Sequence, residues 1–147
     1  MRRYVCGLVG SSAADDVLQD VLIVICRKLR WLDKPELFRA WAYRIASRIA
    51  FRYLRKRRRW PAQPTEDFTL EKLPAPEPRP PAHLLQDLLA TEGISPASRA
   101  VLALHFQEEL SLQEVAAILE VPLGTVKSRL AYGLTALRKQ LARPRSL

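Results

Sequence analysis

Eight of the eleven prolines in this 147-residue chain fall between Pro61 and Pro96, and that crowding limits the fold more than any other feature. Proline fixes φ, lacks an amide hydrogen and clashes with the preceding helical turn, so no regular helix runs through such a stretch. Pro61, Pro64, Pro74, Pro76, Pro78, Pro80 and Pro81 make residues 61–82 an extended linker with polyproline character. Docking of a domain that reads proline motifs is the other use of such a segment. The chain is therefore expected to hold two folded pieces, residues 1–60 and residues 83–147.

Both pieces read as helix. Residues 13–30 carry apolar Val17, Leu18, Val21, Leu22, Val24, Ile25 and Leu29. Asp15 and Asp16 are expected in the first turn of that helix, with Arg27, Lys28 and Arg30 in its last, an order that suits the helix dipole. Pro35 is placed to open the next helix, 35–58, along which Phe38, Ala42, Ile45 and Ile49 form one stripe. Beyond the linker, 83–91 reads as a short amphipathic segment, and Ser95-Pro96 starts a helix reaching 108. Ser111 and Glu114 have capping-box spacing ahead of Leu112, Val115, Ala116 and Leu119. A last helix, 124–141, carries Val126, Leu130, Leu134, Leu137 and Leu141 on one side. Strand-like alternation of useful length is missing, so the expected class is all-α, with a helix-turn-helix in the second domain.

The break between the last two helices is Glu120, Val121 and Pro122. Two short helices joined this tightly form a unit whose second helix can enter the major groove. At 100° per residue, Thr125, Ser128, Tyr132 and Thr135 lie opposite the apolar side, with Lys127, Arg129 and Arg138 toward the flanks. A hydrogen-bonding strip between cations suits base edges with phosphates on either side. An ordinary helical hairpin with a solvated face has the same periodicity, so the pattern alone leaves both open.

Charge points to a polyanion. The chain has 24 Lys and Arg against 15 Asp and Glu, a net +9, and residues 27–59 hold thirteen of the cations against Asp33 and Glu36 alone. Trp31, Trp41, Tyr43, Phe51, Tyr53 and Trp60 lie in or beside that segment. Cations draw phosphates and aromatic faces stack on unpaired bases. Tyr43 and Phe51 lie off the apolar stripe and are the stacking candidates, whereas Trp41 borders it and is expected in the core. An anionic membrane is the other polyanion, but Arg44, Arg48, Arg52 and Arg55 interrupt any broad lipid-facing surface. The longest apolar run, 21–26, is six residues, and no signal-peptide pattern is seen, so a cytoplasmic protein is expected. Cys6, Cys26, His83 and His105 lack zinc-ligand spacing, and the two thiols are expected to be buried. Without a Gly-rich phosphate loop or a nucleophile–base motif, no catalysis, cofactor or metal is expected.

Two stretches of wording sharpen this. Leu110-Ser111-Leu112-Gln113-Glu114-Val115-Ala116, then Val121-Pro122-Leu123-Gly124-Thr125-Val126-Lys127-Ser128-Arg129-Leu130, resembles the promoter-reading region 4 of extracytoplasmic-function sigma factors. The likeness extends through Ile94-Ser95-Pro96 and Arg99-Ala100-Val101-Leu102-Ala103-Leu104, covering about residues 83–141. Ala14-Asp15-Asp16-Val17-Leu18-Gln19-Asp20-Val21, Phe38-Arg39-Ala40-Trp41-Ala42-Tyr43-Arg44-Ile45-Ala46 and Tyr53-Leu54-Arg55-Lys56-Arg57-Arg58 resemble region 2 of the same family.

That resemblance implies a sigma factor, which binds core RNA polymerase and directs promoter recognition and strand opening without catalysis of its own. It implies −35 contacts from His105, Leu112, Gln113, Lys127, Ser128 and Tyr132, to which the strip adds Thr125 and Arg129. It implies −10 contacts from Tyr43, Arg44, Ser47, Arg48, Phe51, Arg52 and Arg55, and polymerase docking through Asp15, Asp16, Gln19 and Asp20. The implied partners are core RNA polymerase, promoter DNA in duplex and melted form and, as often in the family, an anti-sigma factor; no membrane is among them.

Several positions depart from the family pattern. His105 stands where arginine is common, and Ala131-Tyr132-Gly133-Leu134 replaces a segment usually richer in arginine. Glu109 and Glu120 stand where glycine is frequent, and Arg48 and Arg52 where asparagine and aspartate are. A weak or unusual −35 preference and an altered −10 preference follow. The family also has further residues ahead of the segment matching residues 2–10, so the N-terminal core is expected to be under-packed. Three alternatives stay open: a stand-alone helix-turn-helix regulator, a basic RNA-binding protein, and an inactive truncated paralogue acting only through interactions.

Overall fold

The computed structural model describes residues 1–57 and 93–143. The linker 61–82, the segment 83–91, Trp60 and His83 lie outside the described residues. Six α-helices and no strand occur among those described: α1 (Arg2–Val9), α2 (Ser11–Lys28), α3 (Phe38–Lys56), α4 (Pro96–Leu102), α5 (Leu112–Leu119) and α6 (Leu123–Ala142).

Gly10 separates the first two helices at φ 89°, a left-handed conformation that glycine adopts without a Cβ penalty. The turn folds α2 back on α1. Because α2 starts at Ser11, Asp15 and Asp16 stand in its second turn rather than its first, and the dipole does not account for them. Two short 3₁₀ turns, Leu29–Trp31 and Pro35–Leu37, lead into α3.

The buried side of α3 is Ala42, Tyr43, Ile45, Ala46, Ser47, Ala50 and Leu54. This is rotated from the expected stripe, since Phe38 is 41% exposed and Ile49 only partly buried. The rotation has a steric reason. Ala42, Ala46 and Ala50 recur every fourth residue and let α3 lie close against α1 and α2. Trp41 is partly buried against the core, as expected, and tilts against Phe38 at 6.0 Å.

α1 supplies part of the N-terminal core. Tyr4 and Val5 are fully buried, with Leu8 and Val9 beside them. The ring of Tyr4 meets that of Tyr43 edge-on at 5.4 Å, and its hydroxyl shares a hydrogen bond of 2.7 Å with Ser47 Oγ. The expectation of two buried thiols is also corrected: Cys26 is exposed and Cys6 half-buried, both as free thiols. Cys26 lies on the outer side of α2, four residues from exposed Leu22 and adjacent to buried Ile25.

In the second half, Ser95 Oγ caps α4 by accepting from Ser98 N at 3.2 Å, and Pro96 occupies the first turn. The helix then widens into a π-turn, Ala103–Gln107, where Glu108 N bonds Ala103 O at 3.1 Å. Val126, Leu130 and Leu137 of α6 are buried, but Leu134 only partly, and Leu141 is 57% exposed. The inner side of α6 turns toward Ala131 and Gly133 instead. A Cβ on Gly133 would lie 2.7 Å from Leu102 Cδ1, so the missing side chain sets how near α6 comes to α4.

The two halves meet. α1 packs on α4 and α3 on α5, and buried residues from both halves form one continuous cluster.

Candidate nucleic-acid interface

The helix-turn-helix is built from local chemistry. Ser111 Oγ accepts from Glu114 N at 3.1 Å, and Glu114 Oε2 accepts from Ser111 N at 2.7 Å, closing the capping box at the start of α5. Those hydrogen bonds hold the Glu114 carboxyl below the usual carboxylate range. Glu120 ends α5 in the left-handed region at φ 57°. Pro122 then caps α6, its carbonyl accepting from Thr125 N at 3.0 Å and Val126 N at 3.2 Å.

With Val126 and Leu130 turned inward, Thr125, Lys127, Ser128, Arg129 and Tyr132 are half-buried on the remaining surface of α6. Ser128 Oγ donates to Gly124 O at 3.0 Å, and Thr135 Oγ1 to Ala131 O at 2.8 Å, so both hydroxyls rest on their own helix. Burial holds the Arg129 guanidinium below the usual arginine value. Gln113 is exposed and Leu112 half-buried at the start of α5. His105 sits in the π-turn, with Nδ1 2.8 Å from Leu110 O and its ring edge-on to Phe106 at 4.8 Å.

The residues expected at a −10 element divide by environment. Arg52 and Arg55 are exposed on α3, and Phe51 is half-buried. Ser47 does not face outward. It is 2% exposed, and its hydroxyl donates to Tyr43 O at 2.7 Å while sharing a bond with Tyr4. The rotation of α3 that buries the alanine stripe carries Ser47 inward with it. Tyr43 is also buried, lying between Tyr4 and the second half of the chain. Burial, and then the hydrogen bond to Glu108, push its phenol above the ordinary value of 10.0.

On α2, Asp15, Asp16, Gln19 and Asp20 are all exposed. Arg2 Nε reaches Asp15 Oδ1 at 3.1 Å, and both side chains remain largely in water. Leu22 and Ile23, 50% and 42% exposed, continue this surface along the helix. Sequence periodicity placed Leu22 among the apolar positions of the helix, so this extension was missed.

Contacts between the halves bring in residues that sequence reasoning passed over. Tyr43 Oη donates to Glu108 Oε2 at 2.6 Å, and Arg39 Nη2 donates to Glu108 O at 2.5 Å. Arg44 Nη2 donates to Ala117 O at 3.1 Å, and its Nε lies 3.8 Å from Glu120 Oε1. Arg48 makes a two-pronged ion pair with Glu120, Nε to Oε2 at 3.1 Å and Nη2 to Oε1. The one sequence signal for this was Glu120 itself, an L residue where the family often has glycine. No cluster of three potential metal ligands occurs among the described residues, and no described helix is long and apolar enough to cross a membrane.

Comparison with known proteins bears on both halves. Residues 1–59 match the family Sigma-70 region 2, and residues 92–139 match Sigma-70, region 4. The chain is similar to the ECF RNA polymerase sigma factor SigE of Mycolicibacterium smegmatis, at 34% identity over 88% of this chain and 52% of that protein. It is similar to the ECF RNA polymerase sigma factor SigW of Bacillus subtilis, at 30% identity over 87% of this chain and 75% of that protein. It thus spans about half the length of the first relative and three quarters of the second. Among solved structures, the sigma factor RpoE from Bartonella quintana, in complex with the anti-sigma factor NepR, has the same fold. The TM-score is 0.70 at 21% identity, over 98% of this chain and 91% of that one.

Proposed function

The chain belongs to the extracytoplasmic-function RNA polymerase sigma factors, and on that premise we propose that it binds core RNA polymerase and directs it to promoters. In this reading residues 1–60 hold polymerase and the −10 element, 61–82 tether, and 83–147 read the −35 element. The protein acts in the cytoplasm, where polymerase and the chromosome are, and does no chemistry of its own. Strand opening is a population shift: a helix that binds unpaired bases favours the melted state by its differential affinity.

The observation that carries the reading is the union, in one chain, of three surfaces that a lone regulator does not need together. These are the exposed acidic side of α2, the cationic α3 and the capped helix-turn-helix. Asp15, Asp16, Gln19 and Asp20 dock on polymerase. Arg44, Arg48, Arg52 and Arg55 engage phosphates, with Tyr43 and Phe51 beside unpaired bases. On α5 and α6, Gln113, Thr125, Lys127, Ser128, Arg129 and Tyr132 meet the −35 duplex, with His105 and Leu112 at the edge. Ser47 supports this surface from beneath by fixing Tyr43 and Tyr4. An anti-sigma factor is the regulatory partner that fits such a protein.

Capture of purified core polymerase on the immobilised chain tests the proposal. Wild type should bind saturably, and Asp16→Arg with Asp20→Arg should lose binding by an order of magnitude or more while staying helical. A folded wild type that fails to bind would contradict it.

A further inference from the structure

One side of α2 is left uncovered among the described residues, and its pattern is self-complementary. Leu22 and Ile23, with Leu29 just past the end of the helix, are large apolar side chains left exposed. Asp15, Gln19, Leu22, Cys26 and Leu29 follow one another at spacings of 4, 3, 4 and 3, which sets them along a single seam of the kind that pairs two helices. All five are exposed, as are Ile23 and Arg30 beside them. Charge divides at the middle of this seam. Asp15, Asp16 and Asp20 stand before Leu22 with no cation among them, and Arg27, Lys28 and Arg30 follow Ile23 with no acid among them. The acids stand beyond the first turn of α2, where the helix dipole no longer favours them. Asp15 also meets Arg2 at 3.1 Å, but that pair lies largely in water and leaves the carboxylate open to a second cation.

We infer that this side of α2 receives the same side of a second copy of the chain, antiparallel, as an isologous pair. A two-fold axis between Leu22 and Ile23 sets Leu22 against Ile23 of the second copy, Gln19 against Cys26 and Asp15 against Arg30, and each contact occurs twice. The acids of each copy then lie along the cations of the other, whereas a parallel pair sets like charges together. A partner of uniform sign meets repulsion over half of the seam, so a second copy is the occupant that satisfies both ends. One helix pair buries less than about 1,200 Å² in total, so the association is weak and reversible. Asp15, Asp16, Gln19 and Asp20 also carry the proposed docking on polymerase, so a paired chain has that surface covered. This consequence, unlike the pairing itself, rests on the proposed function.

Sedimentation equilibrium of the full chain, from micromolar to several hundred micromolar, tests the pairing. Wild type should pass from one copy to two. Leu22→Glu should weaken association tenfold or more with helicity unchanged, since the side chain is exposed. Asp15→Arg and Arg30→Asp should each weaken it, and the two together should restore it. A wild type that stays single throughout, or a double variant no better than either single one, would overturn the inference. Thiol trapping reads the register. In the antiparallel pair the two copies of Cys26 lie about 10 Å apart along the axis, out of disulfide reach, whereas position 19 lies opposite Cys26 of the second copy. Positions 19 and 26 of one chain are two turns apart and cannot bridge. In a Cys6→Ser background, diamide, which takes two electrons and two protons from a thiol pair, should link Gln19→Cys chains into covalent pairs and leave chains with Cys26 alone largely unlinked. Equal linking of both would overturn the antiparallel register. Capture of core polymerase by the linked pair, before and after reduction, separates this inference from the proposed function. Binding that returns only on reduction supports the covered surface. A linked pair that still binds polymerase would count against docking through α2 and leave the pairing standing.

Discussion

Tyr4 ties together three parts of the N-terminal half. Its ring packs on Tyr43, its hydroxyl meets Ser47, and its burial is complete. Burial raises its pKa above the ordinary 10.0, with the Ser47 hydrogen bond acting against the shift. In the unfolded chain the phenol ionises near 10.0, whereas in the folded chain it keeps its proton well beyond that. Its stabilising effect is therefore full below pH 10 and is lost as pH rises past it. Urea unfolding between pH 9 and 11 should show stability falling with alkalinity. In Tyr4→Phe the fall should be shallower above pH 10, by up to about 1.4 kcal/mol per pH unit. Identical slopes in the two proteins would remove Tyr4 from this role. None of this was legible beforehand. Ser47 was expected to face DNA on the family resemblance alone, which carries no account of how α3 is rotated; that rotation is set by Ala42, Ala46 and Ala50, and it turns Ser47 inward.

Helices and their ends were the most legible elements, because caps and prolines act locally. Ser95-Pro96, the box of Ser111 and Glu114, and the stop at Pro122 all appear where the residue types require them. Less local features escaped. The π-turn Ala103–Gln107 has no sequence marker, and the inner side of α6 depends on Gly133 meeting Leu102. The left-handed ends at Glu109 and Glu120 were visible only as departures from a glycine pattern, each costing roughly 1–2 kcal/mol for an L residue. Ser111→Ala removes the acceptor for Glu114 N and should lower stability by about 1 kcal/mol, read as a shift in the urea midpoint at unchanged m-value. Because α5 is the first helix of the helix-turn-helix, binding to −35 duplex should weaken with it. An unchanged midpoint would show that the box is redundant in the folded chain.

At the scale of the molecule, the family and the two regions were legible and their relation was not. Tyr43 meets Glu108, and Arg48 meets Glu120, across separations of 65 and 72 residues, with a proline-rich stretch between that hides any periodic link. Charge counting found the basic segment but not the few acids that sit on it. The departures at Glu120 and Arg48, which read singly as a weak or unusual −35 preference and an altered −10 preference, become one ion pair when the regions are brought together. The central claim is promoter selection through core polymerase, and transcription in vitro tests it most directly. Core polymerase with and without the full chain would be run on fragmented genomic DNA, and the transcript starts mapped. The account predicts discrete starts that need the chain, share a −35 and a −10 element at constant spacing, and vanish with Asp16→Arg plus Asp20→Arg. A folded chain that yields no starts of its own, or that protects the same duplex sites without polymerase, would contradict it.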